Sequence, residues 1–281
     1  MYVKIKDLRG KMPKLVGVPT GTKLDQMFFK LVEKNGEFVK EPLGGIPALS
    51  VINIVGVPDT GKSLLVQQFV LEQVKHGRSV LFVTTESPAN FVGANLIRKA
   101  KVLGIKREVV EENIAIIDAT EESLRTNVRA LLNTMSQAIK ELKIHITVID
   151  SITGLYEHKE STARQIVREI YNFLKKHYQT ALLVSQKRSI QDSGSSESAG
   201  GLAVAHIVDG TIVLDKKVIE TSWDRKLYKL PLGSTLRLIR VDGCRLCPHD
   251  TRTWVFDIND KGLIDIKVPL RDFIAEEILE S

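Results

Sequence analysis

Apolar and polar positions follow two different periods along the middle of the chain. Short runs rich in Val, Ile and Leu, typical of buried β-strands, are separated by longer stretches whose apolar residues recur every three or four positions. The predicted strands are 51–55, 79–85, 114–118, 144–149 and 181–185, and the predicted helices are 62–76, 89–103, 121–142 and 163–177. This alternation predicts an α/β fold with a mainly parallel central sheet and helices on both faces.

The segments on either side of this alternation are less regular. Residues 1–47 contain turn-forming Gly and Pro around a helix-compatible piece at 24–33, so we predict an N-terminal cap at 1–47 and one core at 48–281. Residues 188–201 are rich in Ser and Gly and are predicted to form a loop. The remaining predicted elements are antiparallel edge strands at 208–214, 235–241 and 253–258, a turn at 259–262 and a last helix at 270–279.

Composition narrows the class of protein. The chain has 281 residues, of which 43% are hydrophobic, enough for one large core. No apolar run approaches the roughly 18 residues that a membrane span requires, and the first ten residues lack the apolar region of a signal peptide. We therefore expect a cytoplasmic protein that does not bind membranes. The formal charge of +6 suits a polyanionic partner but does not require one.

The loop after the first predicted strand fits the phosphate-binding pattern G-x-x-x-x-G-K-[ST]. Its glycines allow successive backbone N–H groups to turn towards a phosphate chain, and the following helix N-terminus adds further donors. The alternative is a glycine-containing turn before an ordinary helix, but the strand and helix on either side favour the nucleotide site. The predicted nucleotide-binding residues are Gly56, Val57, Pro58, Asp59, Thr60, Gly61, Lys62, Ser63 and Leu64.

Three residues of this loop have individual roles in the prediction. Lys62 supplies a positive charge to the β- and γ-phosphates of ATP, and the Ser63 hydroxyl is a ligand for Mg²⁺. Asp59 would repel the phosphates if its side chain pointed inward, so we expect that side chain to point to solvent.

Polar residues also follow three of the other predicted strands. Asp150 ends an apolar strand and is predicted to hold Mg²⁺ opposite Ser63. Glu86 and Gln186 follow two further strands. Each could instead be a helix cap or a solvated loop residue. Because ligands of parallel sheets bind at the carboxyl ends of the strands, we favour a shared site.

Five motifs together resemble the RecA-like ATPases, and within them the single-domain archaeal relatives of KaiC and of the repair ATPase RadA. The motifs are GTKLD at 21–25, LGGIP at 43–47, IDSITGL at 149–155, SAGGLAVAHIVD at 198–209 and LIRVDG at 238–243. The resemblance covers most of the chain and implies a RecA-like core at 48–281.

The resemblance also implies roles for individual residues. Glu86 is similar in position to the first of two adjacent glutamates that activate the attacking water in KaiC domains, and Ser87 stands at the second position. Arg240 matches the lysine of the K-x-R-G element that reaches the nucleotide of a neighbouring subunit, whereas Asp242 stands at the arginine. The predicted catalytic residues are Glu86, Lys62, Gln186 and Arg240, and the predicted metal ligands are Ser63 and Asp150.

These observations predict a Mg²⁺-dependent ATPase that binds ATP and ADP and works as a homo-oligomeric ring or filament. The first hypothesis for its purpose is a DNA recombination or repair accessory that acts on single-stranded DNA, bound through the predicted loop at 188–201 and its basic flank of Lys187 and Arg188. The alternative is a KaiC-like signalling or scaffold ATPase that acts on protein partners.

Two further segments each have two readings. Cys244, Cys247 and His249 resemble part of a zinc site, but a structural zinc usually takes four ligands, so an ordinary hairpin loop is favoured. Trp223 and Tyr228 lie among basic residues between 216 and 229. That segment could stack on nucleic-acid bases or form a solvated β-ribbon.

Overall fold

The protein is described by a computed structural model, which covers residues 2–157, 160–187 and 204–279. The strands in these residues are β1 (Gly17–Val18), β2 (Phe29–Lys34), β3 (Glu37–Pro42), β4 (Ile46–Pro47), β5 (Val51–Gly56), β6 (Val80–Thr84), β7 (Ile114–Asp118), β8 (Ile146–Asp150), β9 (Thr180–Gln186), β10 (Gly210–Val218), β11 (Thr235–Cys244), β12 (Trp254–Ile258) and β13 (Ile264–Pro269). The α-helices are α1 (Lys62–Lys75), α2 (Ala89–Val102), α3 (Arg107–Asn113), α4 (Glu122–Arg125), α5 (Val128–Glu141), α6 (Ala163–Lys176), α7 (Ser222–Tyr228) and α8 (Leu270–Leu279).

The centre of the described chain is a nine-stranded sheet with the order β13-β12-β11-β10-β5-β9-β8-β6-β7. The strands from β10 to β7 run parallel to one another, and β11, β12 and β13 extend the sheet in antiparallel fashion. The predicted α/β fold with a mainly parallel sheet is therefore confirmed. Because β5 lies between β9 and β10, the loop that follows it stands in the middle of the sheet edge.

Helices cover both faces of this sheet. Apolar residues of α1, α2 and α3 pack with one set of strand residues, and those of α5 and α6 pack with the other set. All residues of β5, β6 and β8 are buried, which explains why these strands are continuous apolar runs in the sequence. A smaller apolar cluster joins the antiparallel extension to α8.

A buried carboxylate connects the sheet to one of these helices. Asp209 accepts hydrogen bonds from the Val51 backbone N–H at 2.8 Å, from Lys175 Nζ at 3.0 Å and from the Tyr171 hydroxyl at 2.9 Å. Burial and the hydrogen bond to Asp209 raise the pKa of Tyr171 to about 12. The start of β5 is thereby joined to α6 and to the chain that enters β10.

The N-terminal segment differs from its predicted helix at 24–33. A 3₁₀ turn at Lys23–Gln26 is followed by the hairpin of β2 and β3. Asn35 and Gly36 have φ angles of 52° and 83°, as a tight hairpin turn requires, and this Asn-Gly pair was the overlooked signal. The separation of a cap at 1–47 from a core at 48–281 stays a prediction.

Other elements differ in length or direction from the prediction. The long helix at 121–142 is divided into α4 and α5, because the Asn127 side chain accepts the Ala130 N–H and caps a new helix. The predicted edge strand at 208–214 is β10, which runs parallel to β5 inside the sheet. Sequence reasoning missed α3, β13 and α7, although a capping box of Thr221 and Asp224 marks the start of α7.

The remaining predictions about the fold concern membranes and the Ser/Gly-rich loop. Among the residues that the structure describes, no helix has the length and apolar character needed to cross a membrane. The loop predicted at 188–201 lies outside the described residues.

Candidate functional site

The phosphate-binding loop connects β5 to α1 at the carboxyl end of the parallel strands. A Cβ on Gly56 would lie less than 3.0 Å from the Leu214 carbonyl oxygen and the Thr60 Oγ1, so the backbone is too closely packed there for a side chain. Gly61, directly before α1, has a φ of 94°, which favours glycine. These two glycines therefore set the path of the loop.

The Lys62 side chain lies inside this loop and not in solvent. Its Nζ donates to the Val57 carbonyl at 2.8 Å, and the Thr60 hydroxyl donates to the same carbonyl at 2.9 Å. Burial lowers the pKa of Lys62, and the nearby carboxylates of Glu86 and Asp150 oppose that shift. The ammonium group is thus held inside the loop, close to these two carboxylates.

The Asp59 side chain points away from the loop interior, as expected from the sequence. It is 91% exposed, and its carboxylate lies 3.9 Å from Lys216 Nζ. Lys216 belongs to β10 and had no sequence signal as a site residue. It comes near the loop because β10 is parallel to β5 and continues beyond the level of Gly56.

Asp150 provides a buried carboxylate opposite the start of α1. The Ser63 hydroxyl hydrogen-bonds to it, but burial outweighs this contact and raises the pKa of Asp150 to about 6. Its Oδ1 is buried and has no hydrogen-bond partner among the described residues. Mg²⁺ prefers oxygen ligands. The Ser63 hydroxyl oxygen and the unpartnered Asp150 Oδ1 are ligands of this kind, so these two residues could hold the cation.

Glu86 and Gln186 meet across the same cleft. The Gln186 side-chain amide donates to Glu86 Oε1 at 2.8 Å, and the Gln186 backbone N–H donates to the Thr153 hydroxyl at 3.1 Å. They are 100 positions apart in sequence. The contact forms because β9, which ends at Gln186, and β6, which Glu86 follows, lie on either side of β8, so both residues stand at the same edge of the sheet.

Most of the predicted site residues therefore share one cleft of about 310 Å³, whereas Gly56, Val57 and Thr60 belong to the loop but do not line the cleft. A polyphosphate chain could lie in it between the Lys62 ammonium and the two carboxylates. The cleft is lined by Pro58, Asp59, Gly61, Lys62, Ser63, Leu64, Glu86, Asp150, Val184 and Gln186.

Two residues with predicted roles lie elsewhere. Arg240 lies on β11, two strands from β5, and is opposite Val213 of β10. Its Nε donates to Asp242 at 3.1 Å. Within the described residues Arg240 does not line the cleft. Lys187, expected to flank the loop at 188–201 as an exposed basic residue, is only 4% exposed. Its backbone N–H donates to the Gly56 carbonyl at 3.1 Å, so it is part of the packed sheet edge.

The chain matches the model of the KaiC ATPase family over residues 18–270. The UPF0273 protein PH0284 of Pyrococcus horikoshii is 30% identical over 236 residues, which span 79% of this chain and 87% of that protein. A UPF0273 protein of Thermotoga maritima is also 30% identical, over 79% of this chain and 89% of its own length.

A solved structure has the same fold. The KaiC-like protein PH0186 of Pyrococcus horikoshii OT3 superposes with a TM-score of 0.68 at 22% identity, covering 90% of this chain and all of that one. At this identity the similarity supports the fold and not a particular activity.

The packing around Gly56 generates the first testable prediction. Gly56→Ala should lower the free energy of unfolding by about 1–3 kcal/mol, because the added Cβ would overpack the contact with β10. Gly243→Ala on β11 is the matched control, because the same Cβ there meets none of the described atoms within 4 Å, and it should change stability by less than about 0.5 kcal/mol. Denaturant unfolding of both variants measures the difference; equal stabilities would contradict the close approach.

Proposed function

The chain belongs to the KaiC ATPase family, and on that premise we propose that it binds ATP with Mg²⁺ in the cleft beside Gly56 and hydrolyses it there. The observation that carries this proposal is the convergence of distant parts of the sequence on one cleft. A phosphate-binding loop, a buried acid with an unpartnered oxygen and a second acid held by an amide all face the same space.

Phosphate binding would use the loop backbone, the α1 N-terminus and Lys62. The Lys62 ammonium donates to the Val57 carbonyl, and the Thr60 hydroxyl also donates to that carbonyl. If Lys62 turned to a phosphate, Val57 would keep one hydrogen bond, so its carbonyl would not be left buried without a partner. Moving the Lys62 ammonium from this carbonyl to a phosphate would therefore leave no buried group without a partner, which favours binding of an anionic ligand.

Metal binding would use Ser63 and Asp150. Mg²⁺, when bound, would neutralise negative charge that develops on the phosphate oxygens during transfer. Burial raises the pKa of Asp150 to about 6, and a cation beside the carboxylate would favour its ionised form. The unpartnered Oδ1 would then gain a partner.

Glu86 is the proposed general base. Its carboxylate would accept a proton from the water that attacks the γ-phosphorus, and Gln186 would orient that carboxylate through its 2.8 Å hydrogen bond.

We expect Glu86→Gln to bind ATP but to hydrolyse it about 10²–10⁴ times more slowly, because the neutral amide cannot take up the proton of the attacking water. Phosphate release measures turnover, and isothermal titration measures ATP affinity. Unchanged turnover would show that another group is the base.

The variants Lys62→Ala and Lys75→Ala test whether Lys62 binds the phosphates of ATP. Lys62→Ala should stay folded and lose ATP affinity, because it removes the positive charge inside the loop. Lys75 is the same residue type at the other end of α1, with a 60% exposed side chain, and Lys75→Ala should keep full affinity. Full affinity in Lys62→Ala would contradict the phosphate-binding assignment.

Assembly into a ring or filament is part of the proposal, with Arg240 acting on the nucleotide of a neighbouring subunit. The position of Arg240 on β11, outside the described lining of the cleft in its own chain, supports an action in trans.

ATPase activity per subunit should therefore rise with protein concentration, and Arg240→Ala should lower it at every concentration. Arg107→Ala, which changes a 66% exposed arginine on α3, should have no effect. Activity that stays constant on dilution to a proven monomer would exclude the trans contribution.

Single-stranded DNA is the proposed partner. One face of α7 supports it: Trp223 is 66% exposed, and the exposed residue Lys226 lies three positions further along the helix, on the same face. An aromatic ring beside basic groups can stack on a base while the cations contact phosphates.

The burial of Lys187 removes one of the basic contacts first expected near the loop, which favours the alternative of a KaiC-like scaffold that binds proteins.

Fluorescence anisotropy with labelled single-stranded DNA distinguishes the two partners. Affinity should fall with salt by a log-log slope of about 0.7 per neutralised phosphate, and Trp223→Ala should weaken binding. Phe38→Ala on the β2–β3 hairpin is the control, since Phe38 is 71% exposed, and it should bind normally. If no binding occurs at low salt with ATP present, the protein-partner alternative replaces the DNA hypothesis.

A further inference from the structure

The end of β11 and the loop after it contain the only two cysteines of the chain, and the proposed ATPase chemistry uses neither. Cys244 is the last residue of β11 and Cys247 follows in the loop. Both are free thiols, and their sulfur atoms are 3.7 Å apart. A disulfide would therefore require these sulfurs to approach by less than 2 Å, since an S–S bond is about 2.05 Å long.

The loop that carries the two thiols is held on both of its sides. On one side, the Phe29 N–H donates to the Pro248 carbonyl at 2.9 Å, and the Asp250 N–H donates to the Met27 carbonyl at 2.8 Å. On the other side, the Arg245 N–H donates to the Asp209 carbonyl at 2.7 Å. The close approach of the sulfurs is therefore built into hydrogen-bonded backbone.

The two thiols have different surroundings. Cys247 is 7% exposed and packs in the apolar cluster on the α1 side of the sheet. Cys244 is half-buried and lines a surface cavity of about 360 Å³ together with His206, Arg245 and His249. A small reagent can therefore reach Cys244 more easily than Cys247.

The two thiols also differ in pKa, because hydrogen bonding acts on them in opposite directions. The Cys247 thiol and the backbone N–H groups of Leu246 and Cys247 lower the pKa of Cys244, an effect that outweighs its burial and the nearby Asp209 carboxylate. The pKa of Cys247 is raised by its hydrogen bond to Cys244 and by burial. Because the thiolate is the reactive form, Cys244 is the nucleophile of the pair.

We propose that Cys244 and Cys247 are a redox modification site that forms a reversible intrachain disulfide by exchange with a small organic disulfide. The Cys244 thiolate attacks one sulfur of the oxidant RSSR, giving a mixed disulfide and releasing RS⁻. Cys247 loses its proton to RS⁻ and attacks Cys244 Sγ, forming the Cys244–Cys247 bond and releasing the second RS⁻, which is protonated by solvent. Two protein thiols are oxidised and RSSR is reduced to two RSH.

A metal site is the competing reading of a C-x-x-C loop. A structural zinc takes four ligands in a tetrahedron. In residues 2–157, 160–187 and 204–279, no group of three or more His, Cys, Asp or Glu side chains could hold a metal ion. Two adjacent thiols without further ligands favour the disulfide.

The test exposes the reduced full-length protein to excess oxidised glutathione and follows free thiols and intact mass. Both thiols should disappear, the mass should fall by that of two hydrogen atoms, and dithiothreitol should restore the starting state. Both thiols remaining free in the folded protein, while a guanidinium-unfolded sample becomes oxidised, would overturn the proposal. A stoichiometric zinc ion in protein purified without added metal would also overturn it.

Single-cysteine variants test the assigned order of attack. Cys247→Ser should stop at a stable glutathione adduct on Cys244. Cys244→Ser should react at least about ten-fold more slowly, because its remaining thiol is buried and protonated. If Cys247→Ser disturbs folding, as judged by circular dichroism, Cys247→Ala provides the same test. Equal reaction rates for the two single-cysteine proteins would refute the roles of nucleophile and resolving thiol.

Discussion

The proposed nucleotide cleft depends on the close backbone approach at Gly56. The Leu214 carbonyl of β10 and the Thr60 hydroxyl of the loop both lie within 3.0 Å of the position that a Cβ on this glycine would take. The Gly56 carbonyl also accepts the N–H of Lys187 at the end of β9. Neighbouring strands thus fix the point at which β5 ends and leave the loop one path towards α1.

The electrostatics of the cleft follow from that placement. Strand order brings a buried lysine and two carboxylates into one small volume, where burial lowers the pKa of Lys62 and raises that of Asp150. Both shifts disfavour charge in the protein by itself. A ligand that combines polyphosphate with a divalent cation would favour the charged forms of both groups, which agrees with membership of an ATPase family.

The antiparallel extension of the sheet carries the features that lie outside this cleft. Arg240 and Cys244 are on the same strand, β11, four positions apart, and Cys247 lies just beyond its end. The loop after β11 is also hydrogen-bonded to the N-terminal segment at Met27 and Phe29. The proposed redox pair and Arg240 are therefore joined by one strand, and Arg240 lies outside the described lining of the cleft.

The sequence by itself determined the α/β class, the central strands, the phosphate-binding loop and the acids at the strand ends. Those signals are local, because hydrophobic period and glycine spacing act over a few neighbouring residues. Only the tertiary structure decided that Gln186 holds Glu86, that Lys216 faces Asp59, that β10 is parallel to β5, and that Lys187 is buried. Each of these depends on the order and register of strands distant in the chain, which the pattern within any single strand does not specify.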